Sequence, residues 1–183
     1  MTDRKSLWDS AGKAGLVLGL ISIAYTLLSW LTGKMGADGV GMAFLVGALN
    51  VVLWLAKFVG CILVMRALMK RFVASEPGAD NSDSFRFGVA TSLLSALLFS
   101  AFILAFYSFI APDAITDALD TLLQNPSIAS EGKEAIEAIV PKMPVIMFFS
   151  QLSYCFLFGL ALSAILSRRI PSRNPFEDGA DEQ

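Results

Sequence analysis

Histidine is absent from this chain of 183 residues. With it go the commonest general base, the commonest metal ligand and every Ser–His or Cys–His nucleophile pair. Cysteine is scarce: Cys61 and Cys155 stand alone, each inside an apolar run, so neither a disulfide framework nor a zinc site follows. No Walker loop, GxGxxG turn or EF-hand spacing is present. Charged residues make up 16% of the chain, against about a quarter in a soluble domain. The net charge of -2 leaves no basic face for nucleic acid. These absences assign no catalytic residue, no metal and no cofactor, and point away from an enzyme.

What remains is apolar. Such residues form 55% of the chain and the mean hydropathy is +0.64, which places it among membrane proteins. Four runs approach or exceed the roughly 20 residues that a spanning helix needs. They cover about 14–31, 42–65, 87–110 and 144–167. In hydrocarbon only a helix or a closed barrel satisfies its own backbone, and these runs lack the alternation of barrel strands. The expected fold is an all-α integral membrane protein, a four-transmembrane-helix bundle over 1–170 with a disordered tail over 171–183. A cleaved signal peptide fits the first run poorly, because the run is too long and its flank "MTDRKSLWDSAGK" mixes acids with bases.

Lys and Arg set the orientation. Arg4, Lys5, Lys13, Arg66, Lys70, Arg71, Arg86, Arg168, Arg169 and Arg173 flank the runs on one side, and only Lys34, Lys133 and Lys142 on the other. The positive-inside rule then places both termini and the middle loop in the cytoplasm. Residues 33–41, "GKMGADGVG", form a tight external turn that makes the first two helices antiparallel neighbours. Residues 74–84, "ASEPGADNSDS", read as a flexible cytoplasmic loop.

The external connection 111–143 has structure of its own. Ile115, Ala118, Leu119 and Leu122 recur at helical spacing between Pro112 and Pro126, and a second short helix is expected after Ser127 or Ser130. Its six acids against two lysines argue against anionic lipid. The amphipathic helices either lie on the mouth of the bundle or form a partner surface. The tail "RRIPSRNPFEDGADEQ" anchors the last helix with its basic part and offers Asn174-Pro175-Phe176 as a short docking turn. The expected partners are membrane lipids and a protein at the acidic loop or the tail.

Small residues recur every three or four positions along the runs. Gly15 and Gly19 mark the first helix, Gly60 the second and Gly159 the fourth. Such seams let backbones approach closely, for packing within the bundle or for a homo-oligomer face. Asn50, Tyr107, Gln151 and Tyr154 are candidates for a second, outer polar layer.

One residue breaks the pattern. In "VVLWLAKFVG" Lys57 stands in the middle of the second run, and no Asp or Glu lies in any of the four. At about 1.5 Å per residue it sits roughly 12 Å from the end of its run, close to the centre of a core about 30 Å thick. Ser22, Ser95 and a point between Gly159 and Ser163 fall at similar depth, so a ligand-binding layer of Lys57, Ser22, Ser95 and Ser163 is the functional expectation. It would hold an anionic or carbonyl-containing ligand in a cytoplasm-facing cavity. The structural expectation is that the amine snorkels to cytoplasmic headgroups or to internal water.

The stretches "SLWDSAGKAGLVLGLISIAY" and "FRFGVATSLLSALLFSAFILAFYSFIAPD", with the acidic helix after Pro112-Asp113, resemble a family of four-helix membrane proteins of Bacteroidota known as domain of unknown function 4199. The resemblance implies a bacterial inner-membrane location and carries no activity or site residues. The expected function is thus a non-enzymatic multi-pass membrane protein acting through protein or lipid contacts. The alternative is a small carrier or ligand-binding bundle that uses Lys57.

Overall fold

Each apolar run forms one helix, and every helix is longer than its run. The computed structural model describes residues 4–34, 40–76, 79–123 and 138–170. Helix α1 covers Arg4–Gly33, α2 Val40–Ser75 and α3 Asn81–Ala105, which continues through a π-helical turn, Phe106–Ile110. Helix α4 covers Asp113–Leu123, and a 3-10 turn, Val140–Lys142, leads into α5, Met143–Ser167. No strand occurs among the described residues. Four segments are long and apolar enough to cross a membrane: Lys5–Gly33, Phe44–Ser75, Asn81–Ile110 and Val140–Ser167.

The helices run up and down. Ser6, at the start of α1, donates to the Glu76 carboxylate just past the end of α2. At the opposite end Trp30 of α1 meets Phe106 edge to face, with centroids 5.6 Å apart. One end of the bundle therefore carries the start of α1, the α2–α3 connection and the finish of α5. Lys5, Lys70, Arg71, Arg86, Arg168 and Arg169 are all exposed there, and this is called the basic end below.

Helix α2 extends further than hydropathy indicates, because Arg66, Lys70 and Arg71 interrupt the apolar run without interrupting the helix. Its 36 residues span about 54 Å, well beyond a core of roughly 30 Å. Met65, Met69, Phe72 and Val73 recur on one face and are buried, while the basic residues between them are exposed. Phe72 stacks on Phe87 of α3 at 4.4 Å and 8°. This stripe and Ala11, Ala14, Leu18, Leu166 and Ile170 form the core at the basic end. The flexible loop expected over 74–84 is accordingly much shorter. Asp80 ends it by accepting from the Asp83 amide at 2.8 Å, which caps α3 six residues before the apolar run begins.

Helix α3 is the central element, packed along its length against α1 and α5. Ser84, Gly88, Ser92, Ala96 and Ser100, spaced by four, are all buried. Gly88 and Ser92 face α5 closely: a Cβ on Gly88 would lie 2.6 Å from the Ser163 hydroxyl, and one on Gly159 would overlap that of Ser92. Gly15 meets Leu94 and the α3 backbone at Thr91 and Ser95, and Gly19 meets the Leu98 side chain. Gly60 differs from these four glycines: a Cβ there meets nothing within 4 Å, so no helix packs at that notch. Its face of α2 is not the one that packs.

The acidic helix expected after Pro112 is α4, with Leu119 buried and Ile115 half-buried. The side chains of Ala118 and Leu122, the second loop helix up to residue 137 and the tail 171–183 lie outside the described residues.

Candidate functional site

Midway along the bundle α2 and α5 diverge, and their few contacts leave a cleft of about 130 Å3 between them. Its floor comes from the two helices behind and carries three serines, Ser22 of α1 and Ser92 and Ser95 of α3, beside Leu18 and Ala96. Its walls are the stripes Trp54, Lys57, Phe58, Cys61 on α2 and Tyr154, Cys155, Phe158 on α5. Residues three and four apart share a helix face, which is why each helix delivers several side chains to one cavity. Phe58 and Phe158 approach across the cleft, with centroids 5.5 Å apart, and Trp54 stacks on Phe58 at 5.6 Å and 16°. Trp54 is 51% and Tyr154 64% exposed. The cleft therefore opens sideways, through an aromatic rim, onto the outer surface of the two apolar helices.

Lys57 is on the wall of this cleft, and its charge is handled without an acid. Its ammonium lies 4.7 Å from the Tyr25 ring centroid and 4.9 Å from that of Phe99. A ring face is worth up to about 2 kcal/mol to a desolvated cation. Two such faces therefore compare with the insertion cost of a central lysine, about 2.5 to 3.5 kcal/mol on translocon scales. Tyr25 lies beyond Ser22 on α1 and Phe99 beyond Ser95 on α3, both away from the basic end. The side chain points that way because Cα–Cβ bonds tilt toward the N-terminus of their own helix, and α2 begins at the opposite end. Lys57 does not snorkel to the basic end. No hydrogen bond and no carboxylate engages its ammonium among the described residues. Lys13 and Asp9 form an exposed ion pair on α1 at 2.7 Å.

Ser22, Ser95 and Gly159 share the cleft with Lys57. Ser163 does not: it is fully buried against Gly88, and its hydroxyl donates to the Gly159 carbonyl at 2.7 Å. Its neighbours Gly159 and Leu162 line the cleft, but Ser163 itself lies on the face of α5 turned to α3. The cavity also opens through the side of the bundle rather than toward the basic end. Of the outer polar layer, Asn50 joins α2 to α1 by accepting from Ser29 and Thr32 at 3.0 and 3.3 Å. Gln151 donates to the Cys155 sulfur within its own helix, and Tyr154 stands on the cleft rim. These residues form no single layer.

Tyr25, Phe99 and the rim residues Trp54, Phe58 and Phe158 do not stand out as site residues from depth and polarity alone. A signal for the rim was present, since Trp54, Lys57, Phe58 and Cys61 follow the three-four spacing of one helical stripe. No group of three or more metal-ligating side chains occurs among the described residues.

No curated protein and no solved structure matches the chain. A family profile does match, over residues 13–168, which takes in the four apolar runs and every residue of the cleft. The chain, with four helices long and apolar enough to cross a membrane, thus belongs to the family described as protein of unknown function (DUF4199).

Proposed function

We propose that the protein sits in the inner membrane with both termini cytoplasmic, and acts without catalysis by holding a membrane-dissolved molecule in the α2–α5 cleft. The orientation rests on the ten basic residues at one end against three at the other. The binding role rests on one observation: an ammonium without an acidic partner among the described residues lines a laterally open, aromatic-rimmed cavity in the middle of apolar helices. An intramembrane charge of this kind usually marks a site. Small-molecule sites are concave and mostly apolar, with a few convergent polar groups, and the cleft has that composition. Lys57 and Ser95 share it without a hydrogen bond between them, so the activated nucleophile of a serine–lysine enzyme has no support here.

A phospholipid with a photoactivatable acyl chain tests this reading in vesicles containing the full chain. Adducts are expected to concentrate on Trp54, Phe58 and Tyr154 over Leu16, Leu20 and Leu28, which are exposed elsewhere on the bundle. An even spread over both sets contradicts lipid-phase access to the cleft.

A further inference from the structure

We infer that the molecule held in the cleft is a tailed amphiphile with a neutral, ring-sized head that bears a carbonyl oxygen, in the manner of a quinone. This rests on the lipid-accessible cleft described above and adds the chemistry of its occupant. Size comes first. The cavity of about 130 Å3 compares with engineered cavities of about 150 Å3 that hold benzene, and falls short of the roughly 300 Å3 at which drug-sized sites begin. It takes one ring, with any tail left to run out between α2 and α5.

Shape comes next. Trp54, Phe58, Tyr154 and Phe158 edge the opening, and aromatic walls favour a planar head through offset or edge contacts. Polarity then selects the head group. The floor and wall offer donors: the Lys57 ammonium and the hydroxyls of Ser22 and Ser95. Among the described residues no carboxylate lines the cleft. A hydrogen bond from an ammonium to a carbonyl is charge-assisted and short, and leaves Lys57 on its two ring faces while engaging a further N–H. Depth separates a carbonyl from a carboxylate. Lys57 lies far from both ends of its helix, where a fatty acid would have to carry its charge into hydrocarbon, whereas a neutral ring dissolves there.

Cys61 and Cys155 are the two cysteines of the chain, and both line the cleft. They provide a footprint of occupancy that needs no knowledge of activity. The full chain in vesicles is treated with N-ethylmaleimide, and the adduct at each cysteine is followed by mass. Three probes are compared: decylubiquinone, whose fully substituted ring resists thiol addition; oleate; and dodecylbenzene, which has the ring and tail without the oxygen. Decylubiquinone at ten times its Kd is expected to slow labelling of both thiols about tenfold. Lys57→Met is expected to abolish that protection, and Lys57→Gln, which keeps a donor, to retain part of it.

Protection by oleate alone, or by dodecylbenzene as strongly as by the quinone, overturns the carbonyl-ring assignment while leaving a lipid-binding cleft. Protection by none of the three overturns both. Because Lys57→Met can alter packing, quinone-dependent thermal shift of the parent is measured alongside. No shift at a concentration that saturates the vesicles counts against the assignment whatever the variant does.

Discussion

Ser92 of α3 sits over the notch of Gly159 in α5, while Ser163 of α5 sits over the notch of Gly88 in α3. Each serine donates to the carbonyl of the glycine four residues earlier in its own helix, Ser92 to Gly88 at 2.8 Å and Ser163 to Gly159 at 2.7 Å. The hydroxyls are thus satisfied within their own helices, and the close approach between helices rests on shape. Gly88→Ala and Gly159→Ala each place a carbon within 2.8 Å of a serine side chain, and overpacking of this kind costs about 1 to 3 kcal/mol. Both variants are expected to unfold at clearly lower temperature in the same detergent. Unchanged midpoints would show that α3 and α5 pack less tightly than this.

The first helix offers a graded series. A Cβ on Gly15 meets Leu94 Cβ at 2.9 Å and backbone atoms of Thr91 and Ser95, none of which can swing aside. A Cβ on Gly19 meets the outer methyl of Leu98, which can rotate. Gly60 faces open space. Thermal unfolding of the three alanine variants is therefore expected to rank Gly15→Ala lowest and Gly19→Ala next. Gly60→Ala should be level with the parent or above it by up to about 1 kcal/mol of helix propensity. A loss at Gly60→Ala as large as at Gly15→Ala would reverse that order.

The extension of α2 depends on its own apolar stripe. Phe72 is buried and stacked on Phe87, so Phe72→Ala is expected to cost about 3 to 5 kcal/mol. Proteolysis between residues 66 and 80 should accelerate as the last turns of α2 come free. Cleavage no faster than in the parent would mean that this extension is held by other contacts.

Lys57 and Tyr25 form the pair whose coupling can be isolated. Tyr25→Leu removes one ring face and is expected to destabilise by about 0.5 to 2 kcal/mol. In a Lys57→Met background the same change should cost at least about 0.5 kcal/mol less, which a double-mutant cycle reads directly. Equal costs in the two backgrounds would dissolve the cation–π contact.

The four apolar helices and the antiparallel pairing of the first two were legible in the sequence, because run length and turn chemistry are local properties. So was the seam at Gly15 and Gly19, whose small residues follow helical spacing. The α2 extension was less so, since Arg66, Lys70 and Arg71 lower the hydropathy just where Met65, Met69, Phe72 and Val73 continue the buried face. Lys57 announced itself as an anomaly, and Ser22 and Ser95 were placed beside it from depth alone. Depth, however, fixes a residue's height and not the rotation of its helix. For that reason depth groups Ser163 with the cleft although it faces Gly88, and gives no sign that Tyr25 and Phe99 are partners of the charge.

The most direct test is the thermal unfolding midpoint of Lys57→Met and the parent in the same lipid-like detergent, each with and without decylubiquinone. A lysine kept for a ligand predicts a variant at least as stable as the ligand-free parent, because an apolar side chain replaces a buried charge. It also predicts a quinone-dependent rise in the parent that the variant lacks. A variant that unfolds earlier than the parent, with quinone raising both midpoints or neither, would contradict a ligand-binding role for Lys57.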